Sequence, residues 1–240
     1  MKKLFQRILN SLGYEIKKFN IYNSPDLQLI RMLEMFEINT IIDVGANEGQ
    51  FSIRLRELGY KDKIISFEPM ASPWKVLKHF SKHDLLWLVP SRTAIGDFTG
   101  EVEINISSNS ESSSILPMLD EHSAAVPESI YEGKEKVEID TLDNLVTDYI
   151  DSSSNIFIKI DTQGFEEEVL NGGKVTIDKC IGVQLELSLI ELYEGQKLWD
   201  YFIPLLLDKG FVLWSISPVF VNPEKGRMLQ IDATFFKKEG

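Results

Sequence analysis

The sequence predicts an α/β fold: a doubly wound, mostly parallel sheet of seven strands with a C-terminal antiparallel hairpin. Two patterns in the 240 residues support this prediction. The early strand-like runs alternate with helical patterns, and repeated strand-helix-strand units build parallel sheets with helices on both faces. The last two strand-like runs are separated by SPVFVNPEKGR, residues 217–227, a turn rich in Pro, Asn and Gly that favours an edge hairpin.

The individual elements can be placed in order along the chain. β-Branched and aromatic runs predict strands, and apolar residues three and four apart predict helices. Strands are expected at 40–44, 63–68, 85–89, 155–161, 181–187, 211–216 and 228–236, and helices at 50–59, 72–83 and 164–173. A helix from Pro25 is expected to cover the sheet. We therefore expect an N-terminal helical segment over 1–38 and a main domain over 39–240.

The alternation is interrupted by an insertion at about 98–138. One added strand is expected at EVEINIS, residues 101–107, and residues 108–133 are rich in Ser and Pro. Such a stretch is either a disordered loop or a functional one. Scattered apolar residues such as Leu116, Met118 and Tyr131 favour partial order, so we expect a lid or a segment that faces the substrate.

The first residues differ in charge from the rest of the protein. Residues 2–18 carry five basic side chains against Glu15, a local charge of +4, while the whole chain has a net charge of −12 and the remainder therefore −16. Apolar residues recur here at helical spacing, namely Leu4, Phe5, Ile8, Leu9 and Leu12. This pattern predicts a basic amphipathic helix that either packs on the main domain or contacts an anionic membrane or a partner protein.

Composition excludes several functional classes. A pI of about 4.8 disfavours nucleic acid as a partner, because a polyanion is repelled. No apolar run has the length of a membrane span or of a signal peptide, and Cys180 has no second cysteine to pair with. We therefore expect a cytoplasmic protein; its oligomeric state is left open. His79 and His83 are four apart but lack a third ligand, so no metal site is expected.

The turn after the first strand, in IIDVGANEGQFS, carries the clearest functional signal. Asp43 closes the strand, and Gly45, Ala46, Asn47 and Gly49 lead into a helix. Nineteen residues after Gly49, Glu68 ends the second strand, where a carboxylate can bind the two hydroxyls of a ribose. The turn lacks the G-x-G-x-x-G pattern of dinucleotide sites. We therefore expect a nucleoside cofactor without phosphate.

Seven motifs in order resemble the FkbM family of S-adenosylmethionine-dependent methyltransferases. They are IIDVGANEGQFS, ISFEP, TAIGD, ESSSIL, IDTLDNL, IKIDTQGFEEEVLNGG and VQLELSLIELYEGQ. The resemblance implies the Rossmann-like fold of class I methyltransferases. It further implies that Asp43, Gly45, Ala46, Asn47 and Gly49 surround the methionine part of S-adenosylmethionine, that Glu68 and Pro69 bind its ribose, and that Thr93, Ala94 and Ile95 flank the adenine.

The resemblance also implies that Asp161 and Gln163 lie beside the methyl group. Many members have D-V-E-G where this chain has D-T-Q-G, so Asp161 is the only carboxylate of that turn. Asp161 is our first candidate for a general base, followed by Glu186 and His122. Each of these residues also has a purely structural alternative. Asp161 could cap the next helix, Glu186 could pair with Lys159, and His122 could face solvent.

The resemblance implies O-methylation, and the predicted function is O-methylation of a carbohydrate or related natural product. Ser113, Ser114 and His122 of the insertion are expected to bind this small-molecule or glycan acceptor. Two alternatives remain open at this point: an NAD-dependent oxidoreductase or epimerase on a similar fold, and a scaffold protein that binds the cofactor without turnover.

Overall fold

The computed structural model describes residues 2–238, apart from the side chains of residues 2–4 and 8. Its strands, in chain order, are β1 (Thr40–Val44), β2 (Lys63–Phe67), β3 (Trp87–Leu88), β4 (Ala94–Gly96), β5 (Gly100–Ser107), β6 (Tyr131–Thr141), β7 (Ile156–Ile160), β8 (Gly182–Ser188), β9 (Phe211–Val221) and β10 (Met228–Lys237). Its helices are α1 (Lys2–Ser11), α2 (Pro25–Met35), α3 (Gln50–Glu57), α4 (Ala71–Ser81), α5 (Asp120–Ala125), α6 (Leu142–Leu145), α7 (Glu166–Gly172), α8 (Lys174–Lys179) and α9 (Trp199–Asp208).

Seven of these strands form the central sheet, in the order β3-β2-β1-β7-β8-β10-β9. The first five are parallel, and β10 runs antiparallel between β8 and β9. Strands β1, β7 and β8 are buried along their whole length, as expected for parallel strands that are covered on both faces. The predicted seven-stranded sheet and its C-terminal hairpin are therefore confirmed.

The insertion has regular structure. The added strand is β5, which pairs with β6, and β6 also pairs with β4 to make a second sheet of three strands. A single 3-10 turn at Ser110–Ser112 and helix α5 lie between β5 and β6. Side chains of this sheet, among them Ala94 and Ile104, pack with Phe165, which precedes α7, in a small apolar cluster.

The two N-terminal helices differ in how they contact the rest of the protein. Helix α2, capped by Ser24, buries Leu29, Met32 and Leu33 in the core beside β1. In contrast, Phe5 and Leu12 of the predicted stripe are 61% and 65% exposed, and Leu9 is half-buried. The stripe residues Leu4 and Ile8 have side chains outside the described set. Among residues 2–238, no helix combines the length and apolar character needed to cross a bilayer.

Candidate active site

A cavity of about 440 Å³ opens at the carboxyl ends of β1, β2, β7 and β8. This is where open parallel sheets bind ligands, and the volume lies in the usual range for small-molecule sites. Most of the residues predicted for cofactor and catalysis line it together: Gly45, Ala46, Asn47, Glu68, Pro69, Thr93, Ala94, Ile95, Asp161, Gln163 and Glu186. The fold therefore gathers residues from 45 to 186 in one site.

The two glycines of the first turn have positive φ angles, and neighbouring atoms leave no space for a Cβ at either position. Gly45 has a φ of +80°, and a Cβ there would lie 1.9 Å from the carbonyl oxygen of Asp161. Gly49 has a φ of +92°, and a Cβ there would press on Leu77 and Trp87. Gly49 does not line the cavity. That Gly49 helps to surround a cofactor stays a prediction. What the structure shows is that the positive φ and the close approach of Leu77 and Trp87 require a glycine here.

The turn has no free cluster of amides for a phosphate. The N–H groups of Gly45 and Ala46 donate to the carbonyl of Phe67, at 3.1 and 3.0 Å, and that of Gly49 donates to Ala46 at 2.8 Å. The N–H of Asn47 donates to Glu68 Oε2 at 2.8 Å. Since these donors are already satisfied, the turn suits a ligand without phosphate at this point.

Glu68 is held rigidly at one side of the cavity. Its Oε1 accepts the N–H of Met70 at 2.8 Å while Oε2 accepts that of Asn47, and the side chain is buried. Burial raises the pKa of Glu68 to about 7, although the two backbone hydrogen bonds oppose this shift. A carboxylate fixed in this way can accept further hydrogen bonds from a diol without losing rotamer freedom.

Beyond Glu68 the cavity becomes apolar. Its wall there consists of Met70, Ala94, Ile95, Ile104 and Phe165, all of them buried. Flat aromatic ligands are held by such walls through burial of their faces. This end of the cavity therefore suits a flat, apolar ring system.

Away from the apolar wall, polar and charged side chains form a hydrogen-bonded network around Asp161. Lys159 Nζ lies 2.9 Å from Asp161 Oδ2, and Gln163 Nε2 donates to Asp161 Oδ1 at 2.9 Å and to Glu186 Oε2 at 2.6 Å. Burial lowers the pKa of Lys159, but Asp161, Asp43 and Asp232 outweigh burial and raise it, so the side chain is an ammonium. This end is built to receive a positively charged or hydrogen-bond-donating ligand.

Comparison with known proteins agrees with this geometry. The sequence matches the family model described as Methyltransferase FkbM domain over residues 43–213. The chain belongs to the FkbM methyltransferase family. The 2-O-methyltransferase NoeI of Sinorhizobium fredii (strain NBRC 101917 / NGR234) is 27% identical over 176 residues, which are 70% of this chain and 71% of NoeI.

Two solved structures are also similar to this chain at low sequence identity. Sp1610 of Streptococcus pneumoniae, solved with S-adenosyl-L-methionine, is 12% identical with a TM-score of 0.48, covering 89% of this chain and 73% of that one. An rRNA methylase from Streptococcus thermophilus is 10% identical with a TM-score of 0.48, covering 94% and 100%.

This FkbM methyltransferase is an S-adenosylmethionine-dependent enzyme, and its cavity fits that cofactor. The apolar wall suits adenine, Glu68 suits the ribose, and the satisfied turn amides suit a molecule without phosphate. The carboxylates around Asp161 suit a sulfonium cation. When bound, S-adenosylmethionine supplies a methyl group that is already activated for transfer. The cofactor prediction is confirmed, and the NAD-dependent alternative does not describe this family.

Asp43 lies beneath the FkbM site and not in its wall. Its carboxylate is fully buried, and Oδ2 accepts the hydroxyls of Ser52 and Ser66 at 3.0 and 3.2 Å. Burial raises the pKa of Asp43, and Lys159 together with the two hydroxyls opposes this shift. This placement argues against direct contact with the methionine part of the cofactor. Both Asp43 and Asp161 interact electrostatically with the ammonium group of Lys159.

Neither structural alternative for Asp161 and Glu186 describes the actual contacts. Helix α7 begins without a side-chain cap from Asp161; instead, Glu166 Oε1 accepts the N–H groups of Thr162 and Gly164 at 3.0 and 3.1 Å. Glu186 bonds two amides, those of Gln163 and Gln230, and not Lys159 directly. Burial raises the pKa of Glu186 well above its usual value, and nearby Asp161 and Asp232 add to the shift.

The insertion closes over the glycine turn of the FkbM domain. Asn47 Nδ2 donates to Ser110 Oγ at 3.1 Å, and Gln50 Nε2 donates to Glu111 Oε1 at 3.0 Å. Ser114 Oγ donates to the carbonyl of Gln163 at 2.7 Å, and both Ser113 and Ser114 line the cavity. The insertion therefore forms one wall of the cavity.

His122 does not line this cavity. It is buried between the rings of Tyr193 and Phe220, with centroids at 5.3 and 5.4 Å, and burial lowers its pKa. The structure corrects the alternative that His122 faces solvent. Its expected contact with the acceptor stays a prediction, and its place outside the cavity wall does not support that contact. The apolar neighbours come from distant segments, which is why the polar local sequence was misleading.

Five charged residues of the cavity wall were not anticipated as site residues by sequence reasoning. They are Lys159, Asp232, Asp26, Arg54 and Glu111. Arg54 Nε lies 2.7 Å from Asp26 Oδ2, which joins α3 to α2 at the edge of the cavity. A signal for two of them existed, since Lys159 and Asp232 are charged residues inside otherwise apolar strands. Among residues 2–238, no three His, Cys, Asp or Glu side chains are grouped to hold a metal ion.

Proposed function

We propose that this enzyme transfers the methyl group of S-adenosylmethionine to a hydroxyl of a carbohydrate or related natural product. The observation that carries the proposal is a row of carboxylates at the strand ends, Asp161, Glu186 and Asp232, opposite the apolar end of the cavity. Carboxylates bind sugar hydroxyls as hydrogen-bond acceptors, and one of them can take up a hydroxyl proton. The relative NoeI, named as a 2-O-methyltransferase, supports the same class of reaction.

The charge of this end favours a neutral or cationic acceptor. Asp26 and Glu111 add to the carboxylates that line the cavity. The two cationic residues of its described wall, Arg54 and Lys159, are each paired with an aspartate. A phosphate or uronate is repelled by such a site. We therefore infer a neutral glycan or amino-sugar acceptor, and we retain the proposal that nucleic acid is not a partner.

The protein contributes alignment and charge placement to the reaction. Lys159 and Gln163 hold Asp161 from two sides, so its carboxylate has a fixed direction at the end of β7. Alignment of reacting groups can lower a barrier by roughly 7 to 11 kcal/mol. We propose that Asp161 and Glu186 position the two reactants, and that Ser113 and Ser114 of the insertion act as a lid that contacts the acceptor.

Two measurements, carried out one after the other, test the function. Calorimetric titration with S-adenosylhomocysteine and, separately, with NAD is expected to show binding of the former alone. Transfer of tritiated methyl is then measured for neutral hexoses, deoxyhexoses, hexosamines and their oligosaccharides, with the matching sugar phosphates as controls. Transfer to neutral sugars supports the proposal. Cofactor binding without transfer to any of them contradicts it and favours a scaffold role.

A further inference from the structure

Asp232 is the one carboxylate of the row without a hydrogen bond among the described residues. It lies on β10 directly opposite Glu186 of β8, and Glu186 follows the pairing of Ile160 with Leu185, which brings it beside Asp161. Asp161 is engaged by Lys159 and Gln163, and Glu186 by Gln163 and Gln230. Asp232 is only partly exposed and faces the cavity. Its oxygens are therefore available to a ligand.

The surroundings of Asp232 suit proton transfer. The charged groups that face it are Glu186 on β8 and Lys159 and Asp161 on β7, while its partner on β9 is the neutral Ser217. Burial raises the pKa of Asp232 to about 6; Lys159 opposes the shift and Asp161 adds to it. A carboxylate with a pKa near the working pH is a better general base than an unperturbed one. Asp232 also lies beyond residue 213, where the family match ends.

We propose that Asp232 is the general base for the acceptor hydroxyl; this rests on the proposed O-methylation. The hydroxyl oxygen forms a bond to the methyl carbon while the carbon–sulfur bond breaks, and that electron pair stays on sulfur. The hydroxyl proton passes to an oxygen of Asp232, which later releases it to water. Asp161 and Glu186 keep their hydrogen bonds throughout, because their donors are protein side chains.

The test uses the best sugar acceptor of the wild-type enzyme and the variants Asp232→Asn and Asp232→Glu. Asp232→Asn is expected to lower kcat by about 10²- to 10⁴-fold, with affinity for S-adenosylhomocysteine unchanged, and to remove the acidic limb of the pH–rate profile. Asp232→Glu is expected to restore part of kcat and that limb. Asp208→Asn, an exposed aspartate on α9, is the matched control.

Three results overturn the proposal in different ways. If the wild type transfers methyl but Asp232→Asn keeps its kcat and acidic limb, only the role of Asp232 fails. If both variants lose binding of S-adenosylhomocysteine as well, Asp232 is structural. If the wild type binds S-adenosylhomocysteine and methylates no sugar, the proposed function fails and the role of Asp232 fails with it.

A separate observation concerns the N-terminal segment, residues 2–22. Six of its large apolar side chains are exposed by 59% to 87%: Phe5, Leu12, Tyr14, Ile16, Phe19 and Tyr22. Such a concentration of exposed apolar surface marks an interaction site. The segment also carries the +4 charge of residues 2–18, while the remainder of the chain carries −16.

The segment lies beside the cavity. The guanidinium of Arg54 lies 5.6 Å from the ring centre of Phe19, and Arg54 together with its ion-pair partner Asp26 lines the cavity. We propose that residues 2–22 bind the surface of an anionic lipid bilayer, with the cavity next to that surface. Basic charge attracts the lipid headgroups, and the apolar side chains insert below them.

The test is flotation of full-length protein with phosphatidylcholine vesicles that contain or lack phosphatidylserine. Binding is expected only with phosphatidylserine, and it is expected to weaken as salt rises. The double variants Phe5→Ser with Leu12→Ser, and Lys17→Glu with Lys18→Glu, are each expected to lose about tenfold or more in binding. Phe98→Ser, at an exposed residue of the main domain, is the control. The proposal is overturned if the protein does not float with the vesicles, or if the segment mediates self-association and not membrane binding.

Discussion

Glu186 and Asp232 are cross-strand partners on β8 and β10, and both side chains line the same cavity. Their carboxylates nevertheless differ in hydrogen bonding. Glu186 Oε2 accepts two side-chain amides at 2.6 and 2.7 Å. No hydrogen bond reaches the Asp232 carboxylate in the part of the chain that the structure describes. The protein therefore holds the carboxylate of Glu186 in place and leaves that of Asp232 open to a ligand.

Glu68→Ala is expected to weaken S-adenosylhomocysteine binding by roughly 10- to 100-fold, because charge-assisted hydrogen bonds to the ribose are lost. Calorimetry measures this effect, and Glu48→Ala, an exposed acid in the same turn, is the control. Thermal midpoints are compared in parallel, since Glu68 also holds the N–H groups of Asn47 and Met70. Equal affinities in the two variants would remove Glu68 from the cofactor site.

Gly45→Ala is expected to destabilise the fold far more than Gly59→Ala. Both glycines have positive φ, but only Gly45 would place a Cβ against a backbone oxygen, that of Asp161; Gly59 has open space around it. Strained backbone alone predicts a loss of about 1 kcal/mol for Gly59→Ala, and the added overlap predicts about 3 kcal/mol or more for Gly45→Ala. Urea unfolding measures both values. Similar losses would show that the turn relaxes without cost.

Glu166→Gln is expected to change how stability depends on pH. Burial raises the pKa of Glu166 to about 7, so its contribution to stability is complete below its ordinary pKa and is lost as pH rises through about 7. Wild type should therefore lose about 3 kcal/mol from this group between pH 4.5 and 7.5, a loss that the variant lacks. Urea unfolding across this range checks the difference. Glu101→Gln, at an exposed residue, should follow wild type throughout.

Gln163→Glu is expected to destabilise the site and to create affinity for a divalent cation. The substitution removes the amide that donates to Asp161 and Glu186 and adds a carboxylate beside them. A loss of roughly 2 kcal/mol is expected at pH 8, with a smaller loss at pH 5.5, where protonation relieves the repulsion. Thermal melts with and without Mn²⁺ measure both effects. Gln6→Glu, at an exposed residue of α1, is the control, and identical melts for the two variants would contradict the prediction.

Local sequence was sufficient for much of the fold and for one half of the site. Alternating strands and helices predicted the parallel sheet, and the Pro- and Gly-containing turn before β10 predicted the hairpin. The turn from Asp43 to Gly49 and Glu68 pointed to a nucleoside cofactor without phosphate. These features depend on residues close in the chain, because periodicity, turn geometry and strand ends are local properties.

The acceptor end was decided by tertiary structure alone. Asp232 meets Glu186 across 46 residues only because β10 enters the sheet between β8 and β9 in one register, and a shift by one residue would turn its side chain to the other face. Burial of Asp43 below the cavity and of His122 between Tyr193 and Phe220 likewise depends on distant contacts. The sequence by itself determined which strands form the central sheet and where the cofactor turn lies. The packing of distant segments decided which carboxylates face the cavity.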